Sequence, residues 1–93
     1  MLKIRTVCGN GIGSSLMAAN HVKNICATLN IKADVASIDF ANAEGEKADL
    51  YVTIKDLAKQ FSDQSKVAVI RSYVNKKQIE EDISEKLQQL AEI

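Results

Sequence analysis

The sequence predicts a single α/β domain over residues 1–93, a doubly wound four-stranded parallel sheet in the order 2-1-3-4 with helices on both faces. Three observations carry that expectation. β-Branched and aliphatic runs at 2–7, 31–38, 50–54 and 67–70 alternate with stretches of helical periodicity. Strands alternating with helices form βαβ units, whose crossovers generate a parallel sheet covered on both sides. Three of the four glycines, Gly9, Gly11 and Gly13, fall within five residues directly after the first run. That is where such a sheet places its ligand loop. A chain of 93 residues has room for one core.

The first strand, 2–7, is rich in aliphatic residues. After the glycines, Ala18, Ala19, Val22, Ile25, Cys26 and Leu29 recur at helical spacing and predict a helix over 15–29 with one buried stripe. The second strand has Val35 and Ile38 apolar, and Asp39 closes it. Residues 41–47 are small and polar and read as a loop or one helical turn. Leu50 to Ile54 make the third strand. A short amphipathic helix follows over 55–61, with Leu57, Ala58 and Phe61 on its apolar side. The unbroken apolar run at 67–70 suits a fourth strand buried on both faces. The last helix, 76–91, sets Ile79, Ile83, Leu87 and Leu90 in a stripe and leaves its charges on a solvated face. Four such strands fit the flavodoxin-like pattern. Lys3 and Arg5 share one face of a strand predicted to be central, and local pattern accommodates them only by snorkelling past the sheet end.

Composition narrows the function. Apolar residues at 46% and charged residues at 26% are the balance of a folded chain. Twelve Lys and Arg against twelve Asp and Glu leave no basic excess, so nucleic acid is not an expected partner. The longest apolar runs are four residues, against about 20 for a membrane span. The start, Met-Leu-Lys-Ile-Arg, puts charges inside its apolar stretch and does not resemble a signal peptide. Cys8 and Cys26 form neither a Cys-x-x-Cys pair nor a disulfide framework. The expectation is a reduced, cytoplasmic protein that does not insert into membrane.

The chemistry concentrates between strand and helix, at Val7-Cys8-Gly9-Asn10-Gly11-Ile12-Gly13-Ser14-Ser15. Glycines let successive N–H groups turn inward as an anion nest. The following helix adds unsatisfied amides and the positive end of its dipole. Ser14 and Ser15 supply hydroxyls, and act equally well as N-caps. Cys8 ends the strand facing this cradle, where a helix terminus favours the thiolate. A thiolate inside a phosphate-binding loop attacks phosphorus to give a phosphocysteine. The loop lacks the Gly-Lys-Ser/Thr of nucleotide hydrolases, and its glycines are one residue too tight for the dinucleotide fingerprint. No metal or cofactor is expected; the one histidine, His21, reads as a solvated helix residue well along from the loop. Cys26 falls on the inward stripe and reads as core. Ile12 at the loop tip and Met17 off the buried stripe are apolar residues suited to a docking surface.

The block Cys8-Gly9-Asn10-Gly11-Ile12-Gly13-Ser14-Ser15 after an N-terminal strand resembles the enzyme IIB components of the bacterial sugar phosphotransferase system (PTS). Within the lactose/mannitol/galactitol-like IIB proteins it looks most like the ascorbate, or pentitol, type. Length, element order, the segment 48–53 and the terminal helix support the likeness across the whole chain. The resemblance implies that Cys8 accepts a phosphoryl group from a phosphohistidine on a IIA partner. Gly9, Asn10, Gly11, Ile12, Gly13, Ser14 and Ser15 would form its phosphate loop. The group would pass to a sugar held in a membrane IIC transporter, with which the protein associates peripherally. Low-molecular-weight tyrosine phosphatases have a similar fold and loop and supply the alternative. Their loop is Cys-x5-Arg-Ser, and Ser14 stands where that arginine is needed. A neutral hydroxyl does not replace a guanidinium that clamps phosphoryl oxygens in the transition state. Asp56 and Asp63 are the candidate general acids of that alternative only by default. A third class, a non-enzymatic anion-sensing module, would keep the glycines without needing Cys8.

Overall fold

The structure is a computed structural model that describes residues 1–9 and 13–91. Along the chain run β1 (Leu2–Cys8), α1 (Ser14–Thr28), β2 (Ala33–Asp39), α2 (Phe40–Glu46), β3 (Leu50–Thr53), α3 (Lys55–Ala58), a 3-10 turn at Gln64–Lys66, β4 (Val67–Val69) and α4 (Lys76–Ala91). The sheet order is β2-β1-β3-β4, with every pairing parallel. This is the expected doubly wound arrangement. The β1–β2 ladder extends from Leu2 opposite Ala33 to Cys8 opposite Asp39. The β1–β3 ladder stops two residues sooner, at Thr6 opposite Val52. The strand order reverses between β1 and β3, and at the carboxyl ends of such a switch point open α/β sheets hold their ligands.

Two apolar layers flank the sheet. On one side Ala18, Val22, Ile25 and Cys26 of α1 and Ile79, Ile83 and Leu87 of α4 pack on Ile4, Val35, Leu50 and Val52. On the other, Ala43, Ala58 and Phe61 cover Val7, Tyr51 and Val67. Phe61 stacks edge-on to Phe40 at 5.3 Å between ring centroids. The periodicities anticipated for α1 and α4 are the faces that the structure buries.

Several elements differ from expectation, each for a local reason. Residues 40–46 form a true helix. Its buried anchors are only Ala43 and half-buried Phe40, too few to give a periodic signal amid Asn42 and Gly45. Lys47 ends it in the left-handed conformation at φ 55°. The helix after β3 stops at Ala58, and the side-chain amide of Gln64 donates to the carbonyls of Ala58 and Phe61 beyond its end. β4 is an edge strand rather than a doubly buried one, and Val69 is 48% exposed.

Lys3 and Arg5 face α2, not the sheet end. The buried Arg5 guanidinium donates through Nη1 to the carbonyls of Ile4 (2.9 Å) and Asp34 (2.8 Å). It also pairs through Nε with Glu46 (3.1 Å) and through Nη2 with Asp34 (3.3 Å). Lys3 Nζ reaches the Glu46 carbonyl at 2.8 Å and its carboxylate at 3.3 Å. Hydrogen bonds from Lys3 and then Arg5 hold the Glu46 carboxyl below its ordinary range. The charge is paired and hydrogen-bonded, which is the condition for tolerating it inside a sheet layer.

Candidate functional site

Alternation along β1 sends Ile4, Thr6 and Cys8 towards the α1 side. Cys8 is the last residue of the strand and is 9% exposed. Its Sγ donates to Ser15 Oγ at 2.9 Å. Ser15 is fully buried in the first turn of α1, and its carbonyl accepts from Thr6 Oγ1 at 2.6 Å. Strand end and helix start are therefore joined through one serine. When Cys8 ionises, the same hydroxyl can turn to donate to the thiolate.

Gly13 begins the helix. It is the N-cap residue at φ 73°, ψ −113°, with no side-chain cap, and its carbonyl accepts from the amides of Leu16 and Met17, both at 3.1 Å. A side chain at that φ is strained, which explains a glycine there. Neither serine is the N-cap: Ser14 is the exposed first residue of α1, and Ser15 points inward to Cys8. The amides of Ser14 and Ser15 precede the bonds to Gly13, have no earlier helical turn to donate to, and present the positive end of the helix dipole. Gly9 is exposed, with open space where a Cβ would stand. Asn10, Gly11 and Ile12 lie outside the described residues.

Two further groups that sequence reasoning missed, Thr53 and Tyr73, stand beside Cys8. Val7, whose carbonyl belongs to the peptide leading into Cys8, lies just past the β1–β3 ladder. That carbonyl accepts from Thr53 Oγ1 at 2.8 Å and from Tyr73 Oη at 2.6 Å. The two hydroxyls are 3.2 Å apart. Burial raises the Tyr73 phenol pKa. Hydrogen bonding with Thr53 and with the Ile54 backbone opposes the rise, and the Cys8 charge adds to it. Thr53 could have been suspected, because the order 2-1-3-4 brings the ends of β1 and β3 together. Tyr73 sits in an irregular segment after β4 with no period to place it.

The remaining candidates separate cleanly. Cys26 is buried in the α1 stripe, and burial pushes its thiol pKa up. His21 is half-buried on α1. Met17 is 48% exposed, as are its neighbour Leu16 (51%) and Val74 (53%), which adjoins Tyr73. Among the described residues no cluster of three His, Cys, Asp or Glu could hold a metal ion, and no helix is long and apolar enough to cross a membrane. An open cleft of about 260 Å³ between Glu44, Lys47, Phe61, Asp63 and Lys66 mixes both signs of charge and includes neither Cys8 nor Tyr73.

A protein-family model described as "PTS system, Lactose/Cellobiose specific IIB subunit" matches residues 3–89. No curated protein matches the chain at a significant level. Among solved structures, a mutant of YwlE from Bacillus subtilis superposes with a TM-score of 0.55 at 19% identity, covering 99% of this chain and 97% of the other. A low-molecular-weight protein tyrosine phosphatase from Bacillus subtilis, solved in solution, gives 0.51 at 20% identity, covering 98% and 95%. At those identities the likeness is one of fold.

Proposed function

Because the chain belongs to the lactose/cellobiose-specific IIB family of the sugar phosphotransferase system, we propose that it carries a phosphoryl group on Cys8 between a IIA donor and a IIC transporter. The observation that carries this reading is the placement of one thiol at the end of the central strand. There it bonds the buried Ser15 beside a helix N-terminus, where the strand order reverses. The Cys8 thiolate attacks phosphorus of a phosphohistidine on the IIA partner; the S–P bond forms, the N–P bond breaks, and the imidazole leaves and takes up a proton. In the second step a sugar hydroxyl attacks the same phosphorus, the S–P bond breaks, and the thiolate departs. The hydroxyl proton goes to a base in the membrane subunit. Gly9 to Ser15 bind the phosphoryl oxygens through their amides, with Ser14 and Ser15 adding hydroxyls. Within the family, the loop block favours an ascorbate or pentitol substrate. The chain works as one domain on the cytoplasmic face, held to the membrane through its transporter. Leu16, Met17 and Val74, exposed close to the site, supply apolar surface for the two partners in turn.

Against the phosphatase alternative stands Ser14 at the position of the arginine. Hydrolysis of a phosphocysteine needs a water held in line and activated by a base. Loss of one preorganised donor costs about 10² to 10³ in rate. The test is to phosphorylate the chain with a IIA donor, remove the donor, and follow the bound phosphate beside an aryl-phosphate assay. A long-lived phosphoprotein with negligible aryl-phosphate turnover is expected. Rapid Cys8-dependent hydrolysis of the aryl phosphate would overturn the carrier in favour of a phosphatase.

A further inference from the structure

We propose that Tyr73 is a positioning residue for Cys8, its hydroxyl acting with Thr53 to fix the Val7–Cys8 peptide from which the thiol projects. This rests on Cys8 being the phosphoacceptor. The peptide group is planar, so fixing the Val7 carbonyl also fixes the direction of the Cys8 amide and the start of its side chain. On the β2 side the ladder holds β1 as far as Cys8 opposite Asp39. On the β3 side the register ends at Thr6, one residue before Val7. Side chains take over there: Thr53 donates at 2.8 Å and Tyr73 at 2.6 Å.

One donor is enough to satisfy a buried carbonyl, and Thr53 already provides it. The second comes from a residue 66 positions along the chain, and a phenylalanine would pack in its place without a buried hydroxyl to satisfy. Two donors neutralise the negative end of a carbonyl dipole close to the sulfur, which favours a thiolate and then a phosphorylated thiol. Two charged residues flank these groups in sequence and structure, Asp39 opposite Cys8 and Arg71 two residues before Tyr73, and both have partners. The Asp39 carboxylate accepts from Asn42 at 2.9 and 3.0 Å, and Arg71 is paired with Glu81 and Asp82. Reaction geometry is sensitive to such support, since misplacement by about 1 Å costs on the order of 10²-fold in rate.

The experiment compares wild type, Tyr73→Phe, Thr53→Val and Thr53→Ser. Alkylation of Cys8 by iodoacetamide is followed across pH, with peptide mass spectrometry separating it from Cys26. Thermal melting and phosphoryl transfer from a phosphorylated IIA protein are measured alongside. Tyr73→Phe should melt near wild type, move the alkylation midpoint upward by roughly half a unit to one unit, and slow transfer about tenfold. Thr53→Val should move the midpoint the same way and Thr53→Ser should restore it, which keeps the test open should Tyr73→Phe fold poorly. An alkylation profile unchanged in Tyr73→Phe and Thr53→Val overturns the inference. So does slowed transfer with an unchanged profile, which assigns the phenol to partner contact. A wild-type chain that takes no phosphate on Cys8 overturns the carrier reading instead, and the alkylation profile still decides the part played by Tyr73.

Discussion

Cys8 and Cys26 carry the same chemical group in opposite surroundings. Cys8 ends β1 in hydrogen-bonding reach of a buried serine, whereas Cys26 lies in an apolar stripe that favours its neutral thiol. Cys8→Ser should abolish phosphoryl acceptance while leaving the melting curve intact. Cys26→Ser should still accept phosphate, with stability lower by about 1–3 kcal/mol because a hydroxyl enters the core. Phosphate uptake and thermal melting of the two variants check both statements. The glycines differ in the same way. Gly13→Ala forces a side chain into a backbone conformation at φ 73° and should cost about 1–3 kcal/mol. Gly9→Ala has open space around its Cβ and should melt close to wild type. Equal melting of the two would contradict the strain at Gly13. Cys8 and Ser15 were legible in the sequence, because strand alternation and the first helical turn both aim them at one place. Tyr73 was not, because its role depends on where a carbonyl sits 66 residues earlier.

At the level of elements, α4 buries three residues fully, Ile79, Ile83 and Leu87. Ile83→Ala should destabilise the fold by about 2–5 kcal/mol in denaturant unfolding. β1 is held to α2 by charge. The Glu46 carboxyl, held low by Lys3 and Arg5, contributes stability that is full above the ordinary value of 4.5. That contribution is lost as pH falls through the lowered folded value. The stability difference between wild type and Glu46→Gln should therefore be flat at neutral pH and shrink on acidification below 4.5. A difference that grows on acidification would contradict the assignment. α1 and α4 were readable because each carries a long stripe with one period. α2 was hidden because a seven-residue helix anchored by Ala43 and Phe40 has no period to display. The buried charge of Arg5 was hidden because its partners, Asp34 and Glu46, come from other elements.

For the whole molecule, the strand order decides where the thiol is presented. Placing β1 between β2 and β3 brings the ends of β1, β3 and the segment after β4 to one edge, with Leu16, Met17 and Val74 exposed near it. Met17→Glu should slow transfer from the donor without lowering the melting temperature, and unchanged transfer kinetics would remove Met17 from the docking surface. The order 2-1-3-4 was legible because alternating strands and helices leave few topologies. The surroundings of Cys8 were legible only as far as Ser15, since the hydroxyls of Thr53 and Tyr73 come from residues distant in sequence. The proposed function stands on this edge carrying phosphate on the Cys8 sulfur. Its most direct test is peptide mass spectrometry of the wild-type chain after incubation with the general phosphotransferase proteins and a phosphorylated IIA donor. The account predicts one phosphoryl group, on the peptide containing Cys8 and bonded to its sulfur. Phosphate on Cys26, His21 or Ser14, or none at all from any IIA donor, would contradict it.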